Sequence, residues 1–232
     1  MLLEVHDVRK RYGGFNALTG VELAVPQSRV HGLIGPNGAG KTTLVDIITG
    51  RTPPSSGKVY LHGRAITNWS GLRRTRAGIG RSFQRISIFP ELSVAQQVLL
   101  SARSERRAKE LLELFQLTDV AGSPASQLPY GLQRRVDVAM AAGVAKRLLV
   151  LDEPAAGLSA DESAELATLL RGLVDEFKLS MLLIEHDMDM VFALCDEITV
   201  LHLGGVVACG DVPSIRKDAV VRSVYLGAEA AS

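Results

Sequence analysis

The residues Gly35, Pro36, Asn37, Gly38, Ala39, Gly40, Lys41 and Thr42 run as G-x-x-x-x-G-K-T, with Thr43 next in line. The spacing is that of a phosphate cradle. Glycines let a backbone curl until several N–H groups point at one centre, and a helix beginning there adds the positive end of its dipole. A lysine at position 41 would neutralise β- and γ-phosphates, and the Thr42 hydroxyl would ligate Mg²⁺. The chemistry this implies is the binding of ATP as its Mg²⁺ complex.

A second group supplies a metal anchor and a base. The apolar run Leu148-Leu149-Val150-Leu151 leads into Asp152-Glu153-Pro154, so both carboxylates fall at the C-terminal end of a predicted strand, where parallel sheets place their ligands. Asp152 is expected in the Mg²⁺ shell. Glu153, with no cation of its own to ligate, is suited to polarising the water that attacks the γ-phosphate. The run MLLIEHD ends near His186. If its strand neighbours the previous one, the imidazole can hydrogen-bond the γ-phosphate and hold Glu153 and the water in register.

These groups need a frame to bring them together. Short β-branched or leucine-rich runs at residues 30–34, 148–151, 181–184 and 198–201 alternate with helical spacing, the rhythm of a mostly parallel sheet with helices on its faces. Residues 2–8, 21–25 and 58–61 read as further strands, the first two joined by a turn around Tyr12-Gly13-Gly14, so an added antiparallel sheet is expected. From about Ser93 to Lys146 the pattern is helical, with Ser93 as N-cap and residues 104–115 setting a basic face against Leu111, Leu112, Leu114 and Phe115. The expected organisation is an α/β P-loop NTPase fold in one domain: residues 1–92 and 147–232 as nucleotide-binding core with the antiparallel subdomain, residues 93–146 as an inserted helical subdomain. The only low-complexity stretch is the Ala-rich tail ending at Ser232.

Composition excludes several classes. The net charge of +1 offers no field for nucleic acid. Cys195 and Cys209 lack the paired spacing of a zinc or redox motif and are expected to be reduced and mostly buried. The early charges at Glu4, His6 and Asp7 break any apolar leader, and no run approaches the roughly 20 apolar residues of a membrane span. A cytoplasmic location follows, with any membrane role exercised through a partner.

Taken together, these residues resemble the nucleotide-binding subunits of ABC transporters, over nearly the whole chain. The family's LSGGQ motif is similar to Leu128-Pro129-Tyr130-Gly131-Leu132, continuing as Gln133-Arg134-Arg135. The resemblance implies a head-to-tail dimer in which Pro129, Tyr130 and Gly131 of one ATPase subunit, identical or a sister, close over ATP held by the other. It further implies that Gln84, in RSFQ, senses Mg²⁺ and water and contacts transmembrane permease subunits. Tyr12 looks like the ring that stacks on adenine, with Phe15 as the alternative. Gly157-Leu158-Ser159 is similar to the loop through which the two subunits sense each other. The strings GIGRSFQ, YGLQRR, EPAAGL and VRSVYLG resemble the ATPases of branched-chain amino acid importers and their relatives for amides and urea, which work with a solute-binding protein. A lipid exporter's ATPase, a soluble ABC-type ATPase and a weakly hydrolysing nucleotide-gated module are the alternatives.

Three departures from the family pattern carry expectations. Pro129 replaces the signature serine, removing one donor from each composite site, so a slower ATPase is expected, not a dead one. Ser159 stands where the intersubunit loop has aspartate, which touches communication between sites. About 44 positions separate Gln84 from Leu128, a short helical lobe for this branch.

Overall fold

The computed structural model describes residues 1–229. In chain order the elements are β1 (Leu3–Tyr12), β2 (Phe15–Val25), β3 (Val30–Ile34), α1 (Lys41–Thr49), β4 (Ser56–Leu61), β5 (Arg64–Ala65), α2 (Gly71–Arg76) and β6 (Ile79–Arg81). Then come α3 (Val94–Ala102), α4 (Glu105–Leu114), α5 (Tyr130–Val144), β7 (Leu148–Asp152), α6 (Ala160–Phe177), β8 (Ser180–Ile184) and α7 (Met188–Leu194). The chain continues through β9 (Glu197–His202), β10 (Gly205–Asp211), α8 (Val212–Lys217) and α9 (Ala219–Glu229). The last residues of the Ala-rich tail, 230–232, lie outside the described residues.

Two sheets form. A six-stranded sheet has the order β10-β9-β3-β8-β7-β6, parallel except for β10, and a four-stranded antiparallel sheet has the order β2-β1-β4-β5. The central parallel strands are buried on both faces, which is why they read as continuous apolar runs instead of alternating ones. Their period of two still sorts side chains between layers. Leu149, Leu151, Met181 and Leu183 face a core shared with α3, α4, α5, α6 and α7. Leu148, Val150, Leu182 and Ile184 face the opposite core, where Leu44, Val45, Ile47 and Ile48 of α1 meet Val5, Val8, Val21 and Val59 of the antiparallel sheet. Helix α1 is thus clamped between the sheets.

Helices α3, α4 and α5 lie between β6 and β7, which are themselves hydrogen-bonded neighbours. Ser93 caps α3 through a reciprocal capping box with Gln96, and Ser104 caps α4, whose Leu111 is fully buried along with Phe115 just beyond it. Close packing ties α5 to the sheet: a Cβ on Gly80 would stand 2.4 Å from the Ala141 carbonyl. Only a residue without a side chain permits that approach.

Strands β6 and β10 were not legible in sequence. β6 has three residues, too few to show a period. Strand β10 is an edge strand with a half-solvated face, and there the burial expected for Cys209 is wrong. Cys195 is buried, whereas Cys209 is exposed, its sulfur accepting from the Thr199 hydroxyl at 3.4 Å.

Candidate functional site

Strand β3 delivers the chain into the loop at Gly35. The loop depends on three glycines with positive φ: Gly35 (148°), Gly38 (78°) and Gly40 (106°). A side chain at Gly35 would stand 2.1 Å from the Leu201 carbonyl, and one at Gly40 would meet the Ala17 carbonyl at 2.8 Å. Ala39 is buried, its carbonyl accepting from Gly204 N–H, while Asn37, Gly38 and Thr42 face solvent, with Pro36 and Thr43 intermediate. Helix α1 starts at Lys41 with no acidic residue in its first turn and no side-chain cap. Its N–H groups and dipole are therefore open to an anion.

Lys41 folds back over this loop, its ammonium donating to the Gly35 carbonyl at 2.6 Å and the Pro36 carbonyl at 3.0 Å. Burial lowers its pKa from the ordinary lysine value, opposed by the charges of Glu153 and Asp152. Such an ammonium, held by carbonyls and short of counter-charge, is suited to a phosphate.

Opposite stands the end of β7. Asp152 is its last residue and Glu153 follows with φ of 51°, a backbone region in which a non-glycine residue is strained. The parallel pairing of β7 with β8 places His186 beside Glu153: His186 Nε2 lies 3.1 Å from Glu153 Oε1. Gln84 arrives from the neighbouring strand β6, its amide nitrogen donating to Glu153 Oε2 at 2.7 Å. Lys41, Gln84, Asp152, Glu153 and His186, distant in sequence, thus converge at the C-terminal edge of three adjacent strands and the α1 N-terminus.

Three residues with no role assigned from the sequence, Arg81, Glu185 and Arg134, hold this group in place. Arg81, at the end of β6, donates to Asp152 Oδ2 at 3.0 Å and to Asp46 Oδ1 of α1 at 2.6 Å. Glu185 is buried, and its carboxylate accepts from the backbone N–H groups of Ala155, His186 and Asp187 at 2.7, 2.8 and 3.2 Å, pinning the loops that follow β7 and β8 together. Arg134 of α5 is also buried, donating to the Gln84 carbonyl at 3.0 Å. With β6 only three residues long, no local signal marks Arg81. Nothing local distinguishes Glu185 from a carboxylate at a strand end.

The other expected residues lie around this centre. Pro129 is the N-cap of α5 and supplies no side-chain cap; Tyr130 is exposed and its hydroxyl donates to the Ala156 carbonyl at 3.0 Å. Gly131 is closely covered, since a Cβ there would meet Glu162 Oε1 at 2.3 Å. Ser159 caps α6 through a capping box with Glu162. The serine therefore does the helix-capping work open to an aspartate at that position. Tyr12 and Phe15 are cross-strand partners at the β1–β2 turn, both exposed, and Ala17 two residues on touches the phosphate loop.

The donor set suits a hard cation arriving with its own ligands. No cluster of three or more His, Cys, Asp or Glu able to hold a metal occurs among the described residues. What the site offers is the Thr42 hydroxyl, the Asp152 carboxylate and the Gln84 amide, oxygen donors of the kind Mg²⁺ takes when phosphates complete its shell.

Comparison with known proteins agrees with this geometry. The ABC transporter family model matches residues 18–156. The chain is 37% identical to the high-affinity branched-chain amino acid transport ATP-binding protein BraF of Pseudomonas aeruginosa, covering 97% of this chain and 98% of that one. It is 35% identical to LivG of Escherichia coli, a protein of the same description, with the same coverage. The ADP conformation of MJ1267, an ATP-binding cassette of an ABC transporter, superposes with a TM-score of 0.89 at 27% identity, covering 97% of this chain and 98% of that one. No helix among the described residues is long and apolar enough to cross a membrane. With the phosphate loop, the paired carboxylates and the glutamine and histidine in one cleft, and with a family match over more than half its length, the chain belongs to the ABC transporter family, as an ATPase.

Proposed function

We propose that this chain is the ATP-hydrolysing subunit of an importer of branched-chain amino acids or related small amides or urea. One observation carries the mechanistic reading: the Glu153 carboxylate is held between Gln84 and His186 at the edge of the sheet that also carries the phosphate loop. In this reading residues 1–92 and 147–232 form the nucleotide-binding core and residues 93–146 the lobe that docks a permease.

Residues 35–43 bind the phosphates, and Tyr12, with Phe15 as the alternative, stacks on adenine. Mg²⁺, held by Thr42, Asp152 and Gln84, supplies charge neutralisation at the β- and γ-phosphates. Glu153 takes the proton of the attacking water; His186 keeps that carboxylate oriented and donates to the γ-phosphate. Both Glu153 oxygens have partners in the isolated chain, so the base engages water only after Gln84 or His186 shifts. Closure of a second ATPase subunit, whose Pro129, Tyr130 and Gly131 complete the site, supplies that shift, and the Gln84 segment passes the motion to the permease.

Support for the substrate class comes from BraF and LivG, whose names describe branched-chain amino acid transport. The chain then works on the cytoplasmic face of the membrane, held there by permease subunits, with a solute-binding protein delivering cargo. Purified chain reconstituted with its permease in liposomes should show ATP-dependent leucine uptake. ATP hydrolysis without uptake of leucine, amides or urea would overturn the cargo and leave the ATPase standing.

A further inference from the structure

Arg81 presents a relationship that the hydrolytic chemistry does not require by itself. Its guanidinium bridges Asp152 Oδ2 at 3.0 Å and Asp46 Oδ1 at 2.6 Å, with a further contact to the Thr49 hydroxyl at 3.2 Å. The Arg81 and Asp152 side chains are 8% and 11% exposed. Period-two alternation in β6 explains the aim of the side chain: Gly80 packs on α5, so Ile79 and Arg81 face the α1 side.

Stability is a poor reason for such a pair. Withdrawing two charges from water offsets most of their attraction, and an apolar pair of similar volume would hold the fold as well. What a guanidinium adds is direction. Its planar fork sets two donors in fixed directions, here one to Asp152 and one to Asp46, as a lysine ammonium cannot. Here it holds one oxygen of Asp152, and Oδ1 has no hydrogen-bond partner among the described residues.

We infer that Arg81 is a positioning residue for the metal: it locks the Asp152 carboxylate so that Oδ1 is presented to Mg²⁺, and through Asp46 it indexes that oxygen to α1, the helix carrying Lys41 and Thr42. The inference rests on the proposed role of Asp152 in the Mg²⁺ shell. It also gives the Gln84 segment a grip on the metal site, because Arg81 and Gln84 lie three residues apart on one stretch of chain. The Arg81 guanidinium further lies 5.0 Å from the ring centre of Phe83, between them. A pull on that segment moves the guanidinium and, with it, the carboxylate.

The test is Mn²⁺ binding to the full chain loaded with a non-hydrolysable ATP analogue, followed by electron paramagnetic resonance, in wild type, Arg81→Met, Arg81→Lys and Asp46→Asn. Loss of an outer-shell partner costs about 10- to 100-fold in metal affinity, so Arg81→Met should weaken Mn²⁺ binding by at least about 10-fold. Arg81→Lys and Asp46→Asn should fall between that and wild type, with nucleotide affinity in EDTA unchanged throughout. In ATPase assays the Mg²⁺ concentration for half-maximal rate should rise while kcat at saturating Mg²⁺ is largely restored. If Arg81→Met does not fold, Arg81→Lys and Asp46→Asn carry the comparison; wild-type Mn²⁺ affinity in every variant that folds overturns the inference. A wild-type chain that binds Mn²⁺ with the analogue yet hydrolyses no ATP even when assembled with its permease would leave the positioning role intact and remove the enzymatic one.

Discussion

Gln84 donates to Glu153 at 2.7 Å across the gap between adjacent parallel strands, so the loop that leaves β6 is latched directly onto the proposed base. The latch has a counterpart in His186 on the other oxygen at 3.1 Å. Removing proton-accepting power without changing shape isolates the base: Glu153→Gln should lower kcat by about 10² to 10⁴ with nucleotide affinity retained. Size-exclusion chromatography with ATP should then recover a dimer. Wild-type turnover in that variant would remove Glu153 from the mechanism.

Pro129 offers a gain-of-function experiment. As N-cap of α5 it satisfies none of the helix's free N–H groups. Pro129→Ser restores a cap of about 1 kcal/mol and gives up a similar proline contribution through the unfolded chain, about 0.4–1 kcal/mol. The melting temperature should therefore change little. Turnover of the assembled ATPase should rise, by up to about 10²-fold, as the hydroxyl adds a donor at the γ-phosphate. An unchanged kcat would mean that the α5 backbone already supplies the whole field.

His31 gives the fold a pH dependence. It is buried on β3, its Nε2 paired with the Thr199 hydroxyl at 2.8 Å and Nδ1 3.7 Å from a Glu197 oxygen, and burial lowers its pKa from 6.5 to about 4. An unfolded chain takes up this proton below pH 6.5 and the native chain does not until about 4. Stability from this group is therefore full above the unfolded value and drains away as pH falls through that window, by about 3 kcal/mol at most. Urea denaturation at pH 7.5 and 4.5 should show that loss in wild type and a smaller one in His31→Gln. Equal losses in both would assign the effect to other groups.

Gly80 tests the contact between α5 and the sheet edge. An added methyl would lie 2.4 Å from the Ala141 carbonyl, fixed by helix geometry, and 2.8 Å from Cβ of Ala145, the residue that ends α5. Gly80→Ala should cost about 1–3 kcal/mol, read as a lowered denaturation midpoint. A stability equal to wild type would mean that α5 shifts freely on β6.

The strands whose residues are buried on both faces, and the helix opened by Ser93, could be read directly, because a long apolar run or a capping serine is a local property. The same holds for the phosphate loop, whose glycines are required by φ. Tertiary context decided the remainder. Arg81 could be found only once β6 was known to lie beside β7, and Glu185 only once its carboxylate was seen to gather three N–H groups. Cys209 looked apolar and is exposed because β10 ends the sheet.

Strands β6 and β7 are hydrogen-bonded neighbours, yet the whole of α3, α4 and α5 is threaded between them. Because the pair is parallel, with Arg81 beside Val150, the excursion leaves at Arg81 and rejoins two residues back along the neighbouring strand at Leu148, roughly 8 Å away. Changing the length of such an excursion alters loop-closure entropy only logarithmically, and no other strand has to move. The alignments to BraF and LivG run over 249 positions against 232 residues in this chain, so those proteins carry residues that it lacks. An excursion that begins and ends on neighbouring strands is where a lineage can trim residues while the order of the sheet stays as it was.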